Sequence, residues 1–408
     1  GILGFSDSGS QIKGVNLSLD LNNTASQISE MVSKKRDDLE SIESRLQHMV
    51  DLLQNFDYQR YIDKKSKLPD LWAWPLLELP ENPGNSISLG ATPENYIAIG
   101  VDGSHIDVNR HIPIRCFLIN IGVAKIEYGT TPNAELLSTP VLYYGHPQVT
   151  IPNPNEIHKD VPIEGALLGA FRTVKELEEM TKIIESNDSN IPTIGLLDGT
   201  LLLLDVLRRG IDQFVIDDLL NQRFLKALSK IKNINENKRT LLASYISLPA
   251  SKEFMNSLRF YDSDSFDDPK IGQDLNYDIL DRQLFSKILK ENDRSELFPS
   301  SHPSVESYYS EHHLMFFYVN TGSEIARVEV PAWATLDNSN VDLIHALVLD
   351  QTNKGPTYPT VLMEAHEQAV ISSKDREYFL NLIEMSMGSK NFEFYTSQKN
   401  RSKSLRWL

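Results

Sequence analysis

Two short stretches carry the residues best suited to chemistry. In "YIAIGVDGSHIDV" and "IPTIGLLDGTLLLL" an apolar run climbs to an aspartate, turns at a glycine and meets a small hydroxyl. The shared pattern is Asp102-Gly103-Ser104 and Asp198-Gly199-Thr200. A carboxylate at the end of a core strand sits on a rigid element, as a precise site requires. Two such strands side by side would bring both carboxylates within bridging distance of a divalent ion. Hard ions such as Mg²⁺ and Mn²⁺ take oxygen ligands in near-octahedral array. Two ions about 4 Å apart can clamp the attacking and leaving oxygens of a phosphodiester. The competing reading is a plain turn, since Asp-Gly between hydrophobic runs is also the strongest short-range hairpin signal. That reading stays open for Asp102, which has strand pattern on both sides. It is weaker for Asp198, whose downstream sequence has helical period.

A third carboxylate is expected from the helix that precedes the second strand. "FRTVKELEEM" offers Glu176, Glu178 and Glu179. Most acids on such a helix are simply solvated. Glu176 is preferred, because it lies one turn after Arg172, below the apolar face of Leu167, Leu168 and Phe171. Glu179, about 60° away around the helix, is the alternative, whereas Glu178, about 200° away, cannot share a face with Glu176.

The elements that must position these groups follow from pattern. "YIAIGVDGSHIDV", "IRCFLINIGVAKIEYG" and "TPVLYYG" read as three consecutive strands. Residues 162–186 have helical spacing, and "IPTIGLL" is a short, fully apolar strand. Beyond Asp198 the sequence reads as helix in about two segments, broken near Gly210. "TLLASYIS" is a further strand and "SKEFMNSLR" starts a helix. "HLMFFYVNTG" and "IARVEVPAW" form a strand pair, and "NVDLIHALVLDQT" and "PTVLMEAHEQAVIS" are helices. The sum is an α/β domain with a mixed sheet, placed at residues 95–385. Before it, residues 1–24 are polar and turn-rich. Residues 25–66 form a long amphipathic helix whose stripe runs Leu39, Ile42, Leu46, Met49, Leu53, Phe56. That stripe suits either packing on its own domain or contact with a second subunit or partner. Residues 67–94 are a Pro- and Gly-rich connector. Residues 386–408 form a basic tail, in which Lys399, Arg401, Lys403 and Arg406 could guide DNA or dock a partner.

Composition excludes little. With 408 residues, 40% hydrophobic and 24% charged, the chain is an ordinary globular protein. No apolar run approaches about 18 residues, so no membrane helix is expected, and the opening residues lack the pattern of a secretory signal. The single cysteine, Cys116, permits neither an intrachain disulfide nor a Cys-rich zinc site, and a cytoplasmic location fits. The net charge of −16 argues against a long, sequence-independent grip on nucleic acid through the global field, but leaves room for a local basic channel.

Five ordered blocks resemble one family. "IGVDGSHIDV" and "LLDGTLLLL" look like the two aspartate motifs of the NurA nucleases. "RTLLASYISLPASKEFMNSLR" is similar to that family's strand–helix segment. "MFFYVNTGSEIARVEVPAW" is similar to its Phe-Tyr…Arg-Val-Glu-x-Pro strand pair, and "YPTVLMEAHEQAVISSKDREYF" to its C-terminal Tyr-Pro…Ala-His-x-x-Ala-x-Ile…Asp-Arg block. The resemblance implies a ribonuclease H-like fold and a Mn²⁺-dependent DNase with 5′-end exonuclease and single-strand endonuclease activities. It also implies a ring-shaped homodimer working with a hexameric HerA-type ATP-driven DNA translocase in end resection. By motif it gives Asp102 and Asp198 as metal ligands, with the acidic helix of Glu176 supplying the third. Tyr358 and His366 would be the C-terminal site residues, with Asp375 a further candidate. Beside a metal-bound phosphodiester, His366 could donate a proton to the leaving oxygen or stabilise charge on the phosphate. Tyr358 could hydrogen-bond a phosphate or orient the attacking water. Two other classes remain: a non-catalytic dimeric adapter for a translocase, and an RNA-directed or phosphatase-like activity on the same fold.

Overall fold

Asp20 starts the first helix, its side chain accepting the N–H of Asn23 at 3.0 Å, a normal N-cap. Helix α1 (Leu21–Gln54) is followed by α2 (Tyr58–Lys65). The chain then enters an antiparallel meander of β1 (Tyr96–Asp107), β2 (Cys116–Tyr128) and β3 (Asn133–Tyr144). A small hairpin, β4 (Thr150–Ile151) with β5 (Val161–Pro162), leads into α3 (Ala166–Glu185) and β6 (Thr193–Asp198). Short α4 (Gln213–Ile216) continues through a π-helical stretch into α5 (Leu225–Asn235), then β7 (Thr240–Ile246) and α6 (Glu253–Asp262). The remainder is α7 (Asp281–Ile288), β8 (Phe298–Pro299), β9 (Leu314–Asn320), β10 (Ile325–Pro331), α8 (Asn338–Lys354), α9 (Thr360–Ala369) and α10 (Ser373–Gly388). The structure is a computed structural model that describes residues 20–68, 75–107, 114–156, 158–263 and 279–388. Most of the polar N-terminal segment, part of the connector, the side chain of Leu39 and the basic tail from residue 389 lie outside the described residues.

One eight-stranded sheet orders its strands β3-β2-β1-β6-β7-β10-β9-β8. β6 runs parallel to β1 and to β7, while β10 runs antiparallel to β7 and β9. This is the expected ribonuclease H-like mixed sheet flanked by helices. β6 is buried along Thr193–Leu197, which explains its unbroken apolar sequence. On α3 the residues Leu167, Leu168, Phe171, Val174, Leu177, Met180 and Ile184 are buried, the three-and-four spacing of a helix laid on a sheet. On the other face α9 packs over β1 and β2. A Cβ added at Gly122 in β2 would stand 2.1 Å from the Ala365 carbonyl oxygen, so only glycine lets that helix lie so close.

One expectation changes. The segment after Asp198 is not helical: Leu201, Leu202 and Leu203 are buried in the core, and the next element is a 3₁₀ turn over Leu204–Val206. Helix resumes only at Gln213. The backbone groups of that run are satisfied by side chains instead of a helical ladder, with Leu203 N–H donating to the Tyr309 hydroxyl at 2.8 Å and that hydroxyl donating to the Leu201 carbonyl at 2.9 Å. Of the two readings of the α1 stripe, the structure shows packing on its own domain. Leu46, Met49 and Leu53 are buried in a second core with Phe254, Phe285, Phe298, Phe316 and Tyr318, and Ile42 and Phe56 pack against it. Toward the N-terminus of α1, Leu21, Ile28, Met31 and Val32 remain exposed.

Candidate active site

The sheet register brings the two aspartates together. Val101 pairs with Leu197 across the parallel β1–β6 ladder, so Asp102 and Asp198, one residue further on, leave neighbouring strands at the same end. Adjacent strands lie about 4.8 Å apart. Asp102 is within a strand, paired with Gly122, so the tight-hairpin reading does not apply to it. Asp198 is the last residue of β6, and Gly199 turns the chain in the left-handed region with φ +84°. There a glycine is the unstrained choice.

Glu176 reaches this end from α3. It is only 8% exposed, and a Cβ added at Gly103 would lie 2.6 Å from its Oε1. The glycine beside Asp102 is therefore what lets the glutamate close on the strand. Burial, opposed by Arg172 but reinforced by the negative charges of Asp102 and Asp198, pushes the Glu176 carboxyl up to about 8. Arg172 Nε stands 3.0 Å from Glu176 Oε1, yet the pair is misaligned and neither atom completes a hydrogen bond among the described residues. Glu178 and Glu179 are committed elsewhere. Glu178 receives Arg223 Nε at 2.7 Å, Arg223 Nη2 at 3.1 Å and Lys175 at 2.9 Å, and these cations hold its carboxyl below the usual range despite burial. Glu179 pairs with Lys182 at 2.7 Å.

The C-terminal candidates each engage one aspartate. Tyr358 donates its hydroxyl to Asp198 Oδ1 at 2.6 Å and packs edge-on to Tyr245. Burial first, then the Asp198 carboxylate, raises the phenol well above its ordinary range, so it stays a donor. His366 Nδ1 lies 2.7 Å from Asp102 Oδ2. A carboxylate only accepts, so Nδ1 carries the proton and Nε2 of this exposed ring is left available. Asp375 does not join them. It accepts from the Ser372 N–H at 2.9 Å and hydroxyl at 2.7 Å, while its own N–H donates to Ser372 Oγ, a capping box at the start of α10.

The small hydroxyls of the two motifs are anchors. Ser104 donates to the Ala369 carbonyl at the end of α9, where Asn120 Nδ2 also donates at 3.0 Å. Thr200 donates to Glu329 Oε2 at 2.8 Å. Sequence reasoning missed Asn120 and Glu329 as residues of this neighbourhood, and used Arg172 only to place Glu176. The only sequence signal for Glu329 was its place in the Arg-Val-Glu stretch of β10. Among the described residues no three His, Cys, Asp or Glu side chains form a ready metal cage, and the Asp102 and Asp198 oxygens are partly taken by His366 and Tyr358. The donor set nevertheless fits a hard cation: three carboxylates at one strand end, one of them buried with an oxygen lacking a hydrogen bond.

A family model for the NurA domain matches residues 97–371, more than half of the chain. The chain belongs to the NurA family. Membership makes it a nuclease, a hydrolase of phosphodiester bonds. Among solved structures it is similar to a crystal structure of NurA with manganese, at 12% identity over 86% of this chain and 98% of that one, with a TM-score of 0.37. It is also similar to endonuclease V of Ciona intestinalis in complex with a 23mer DNA, at 10% identity over 70% of this chain and 87% of that one, TM-score 0.32. A third is the type 1 RNase H called LC9-RNase H1, at 9% identity over 41% of this chain and 71% of that one, TM-score 0.20. No curated protein sequence matches the chain. No helix among the described residues is long and apolar enough to cross a membrane.

Proposed function

We propose that this NurA-family chain is a divalent-metal-dependent deoxyribonuclease whose ion ligands are Asp102, Glu176 and Asp198. The observation that carries this reading is the meeting of the two aspartates at the same end of neighbouring strands with a buried glutamate whose Oε1 makes no hydrogen bond among the described residues. Mn²⁺, with Mg²⁺ as the alternative, would supply Lewis-acid stabilisation of phosphate charge and an activated water. The chain's own residues do the rest. His366, oriented by Asp102, presents Nε2, which in the doubly protonated imidazolium would donate its proton to a leaving oxygen. Tyr358 holds Asp198 and offers a polarised hydroxyl at the rim. Such partners around ligating carboxylates orient them and tune their basicity.

The finer activities are 5′-end exonuclease and single-strand endonuclease action in DNA end processing, repair or anti-phage defence, in the cytoplasm. A HerA-type hexameric ATPase fits the electrostatics. A chain of net charge −16 binds duplex weakly alone, and a ring translocase would raise the effective DNA concentration at the site. The homodimer is supported by β3. This edge strand of 12 residues exposes Leu136, Leu137, Val141, Leu142 and Tyr144, and edge strands of that kind invite pairing. An antiparallel two-fold about Thr139 sets Leu137 against Val141 and Leu136 against Leu142, so a second copy is its natural cover.

The test is incubation of the protein with labelled single- and double-stranded DNA and RNA, in Mn²⁺, in Mg²⁺ and in EDTA. DNA cleavage in Mn²⁺ that EDTA abolishes supports the reading. Cleavage of RNA alone transfers it to ribonuclease action, and no cleavage under any condition favours the adapter.

A further inference from the structure

We infer that Glu329, held by Arg327, is a positioning residue that fixes the turn carrying Asp198. The inference rests on the nuclease reading of Asp198. Before that residue the backbone is fixed by the β6–β7 ladder, and Gly199 N–H donates to the Tyr245 carbonyl at 3.0 Å. After it the chain leaves the sheet, and there Glu329 takes over. Its Oε2 accepts the Thr200 hydroxyl at 2.8 Å and the Leu201 N–H at 3.0 Å. Its Oε1 accepts Arg327 Nε at 2.9 Å. Arg327 is itself held by Glu253 Oε1 at 2.8 Å and Ser251 Oγ at 3.1 Å, with its guanidinium 3.7 Å above the Phe316 ring.

The reach is unusual because β7 lies between β10 and β6. Glu329 pairs with Ser244, and Ser244 pairs with Leu197. Laterally paired residues share a face, so Glu329 crosses to the turn over Ser244. That serine is fully buried and its hydroxyl makes no hydrogen bond among the described residues. A small residue there leaves a lane for the glutamate.

Stability alone is a poor explanation of this arrangement. Arg327 and Glu329 are 4% and 3% exposed, and a buried ion pair often contributes no more than well-packed apolar residues of equal volume. What apolar residues cannot do is accept two hydrogen bonds from the backbone and hydroxyl of a turn. Catalytic carboxylates need placement within roughly 0.5 Å, and the clamp stands two residues from Asp198.

Three variants, and the combination of Glu329→Gln with Asp198→Asn, separate positioning from folding. Glu329→Gln keeps the shape, the double variant Arg327→Met, Glu329→Met replaces the pair by apolar volume, and Asp198→Asn removes the group being positioned. Each is measured for melting temperature in EDTA, for the rise in melting temperature on adding Mn²⁺, for cleavage rate at saturating DNA, and for hydrogen exchange of a peptide covering residues 196–204. We expect Glu329→Gln to raise exchange in that peptide, to shrink the Mn²⁺-induced rise, and to slow cleavage about tenfold without weakening DNA binding. In the Asp198→Asn background it should change neither the Mn²⁺ response nor cleavage further, as expected of groups acting through one site. The double variant should cleave as slowly as Glu329→Gln even where its melting temperature in EDTA equals the wild type. A double variant that melts normally and cleaves at the wild-type rate overturns the inference, as does unchanged exchange at 196–204 in Glu329→Gln. If the wild type itself fails to cleave, the nuclease reading falls, and the exchange result still decides whether Glu329 fixes the turn.

Discussion

Glu176 and Glu329 are both buried glutamates in the same α/β unit, and their surroundings are opposite. Glu329 has each carboxylate oxygen engaged, one by Arg327 and the other by Thr200 and the Leu201 N–H. Glu176 faces two like charges, has one misaligned cation, and keeps Oε1 without a hydrogen bond among the described residues. A buried charge costs several kcal/mol unless it is paired and hydrogen-bonded. The first glutamate meets that condition within the fold, so it builds structure. The second does not, and the proposed function assigns a divalent cation to complete its surroundings. On the proposed reading, the contrast separates a carboxylate that holds the site from one that belongs to it.

The largest effect that would break this contrast is on cleavage. Asp102→Asn, Asp198→Asn and Glu176→Gln should each lower the DNA cleavage rate by about a thousandfold or more, with circular dichroism unchanged. Glu178→Gln and Glu179→Gln should stay within about threefold of wild type, because their partners are Arg223, Lys175 and Lys182. An inactive Glu179→Gln beside an active Glu176→Gln would transfer the third ligand. Next come the aspartate partners. His366→Asn should lose about a hundredfold in rate, in the usual range for a general acid–base group, and Tyr358→Phe about tenfold. Equal rates in either variant would leave that residue a packing role.

The contrast sharpens with pH in the metal-free protein. The Glu176 carboxyl has an ordinary value of 4.5 and is raised to about 8 in the fold. Its contribution to stability is therefore complete below the ordinary value and is lost as pH rises through about 8, since the native state then gives up a proton it prefers to keep. In EDTA, wild-type melting temperature should fall across that window, while Glu176→Gln should melt higher at pH 8 by a few degrees and show less of the decline. A parallel pH course in the two proteins would mean that Glu176 is already neutralised. The smallest effect on the site is expected from Leu137→Lys with Leu142→Lys. Light scattering should show monomers, with Mn²⁺-induced stabilisation unchanged, and a persistent dimer would move the interface away from β3.

Much of this was legible because strand-end aspartates and an apolar helix face are local patterns. The pairing of Asp102 with Asp198 followed from two like motifs, and the preference for Glu176 from its position below Leu167, Leu168 and Phe171. The helix expected after Asp198 failed because four leucines in a row have helical composition whatever they pack on. Here their backbone is satisfied by Tyr309 and Glu329, from segments over 100 residues away in sequence. The α1 stripe gave the amphipathic face but not its partner, since Met49 reads the same against its own α7 core as against another subunit. Asn120 and Glu329 were hidden for a similar reason. Nothing near Asn120 announces the end of α9, and only the strand order carries Glu329 across Ser244 to the turn.

Titration of Mn²⁺ into wild type, Asp102→Asn, Glu176→Gln and Asp198→Asn by calorimetry, paired with DNA cleavage by the same samples, tests the proposed shared ion site most directly. Each substitution should weaken Mn²⁺ binding at least about tenfold, one charged ligand being worth no less, and should lower cleavage with it. A variant at any of the three positions that binds Mn²⁺ and cuts DNA like the wild type would contradict the site.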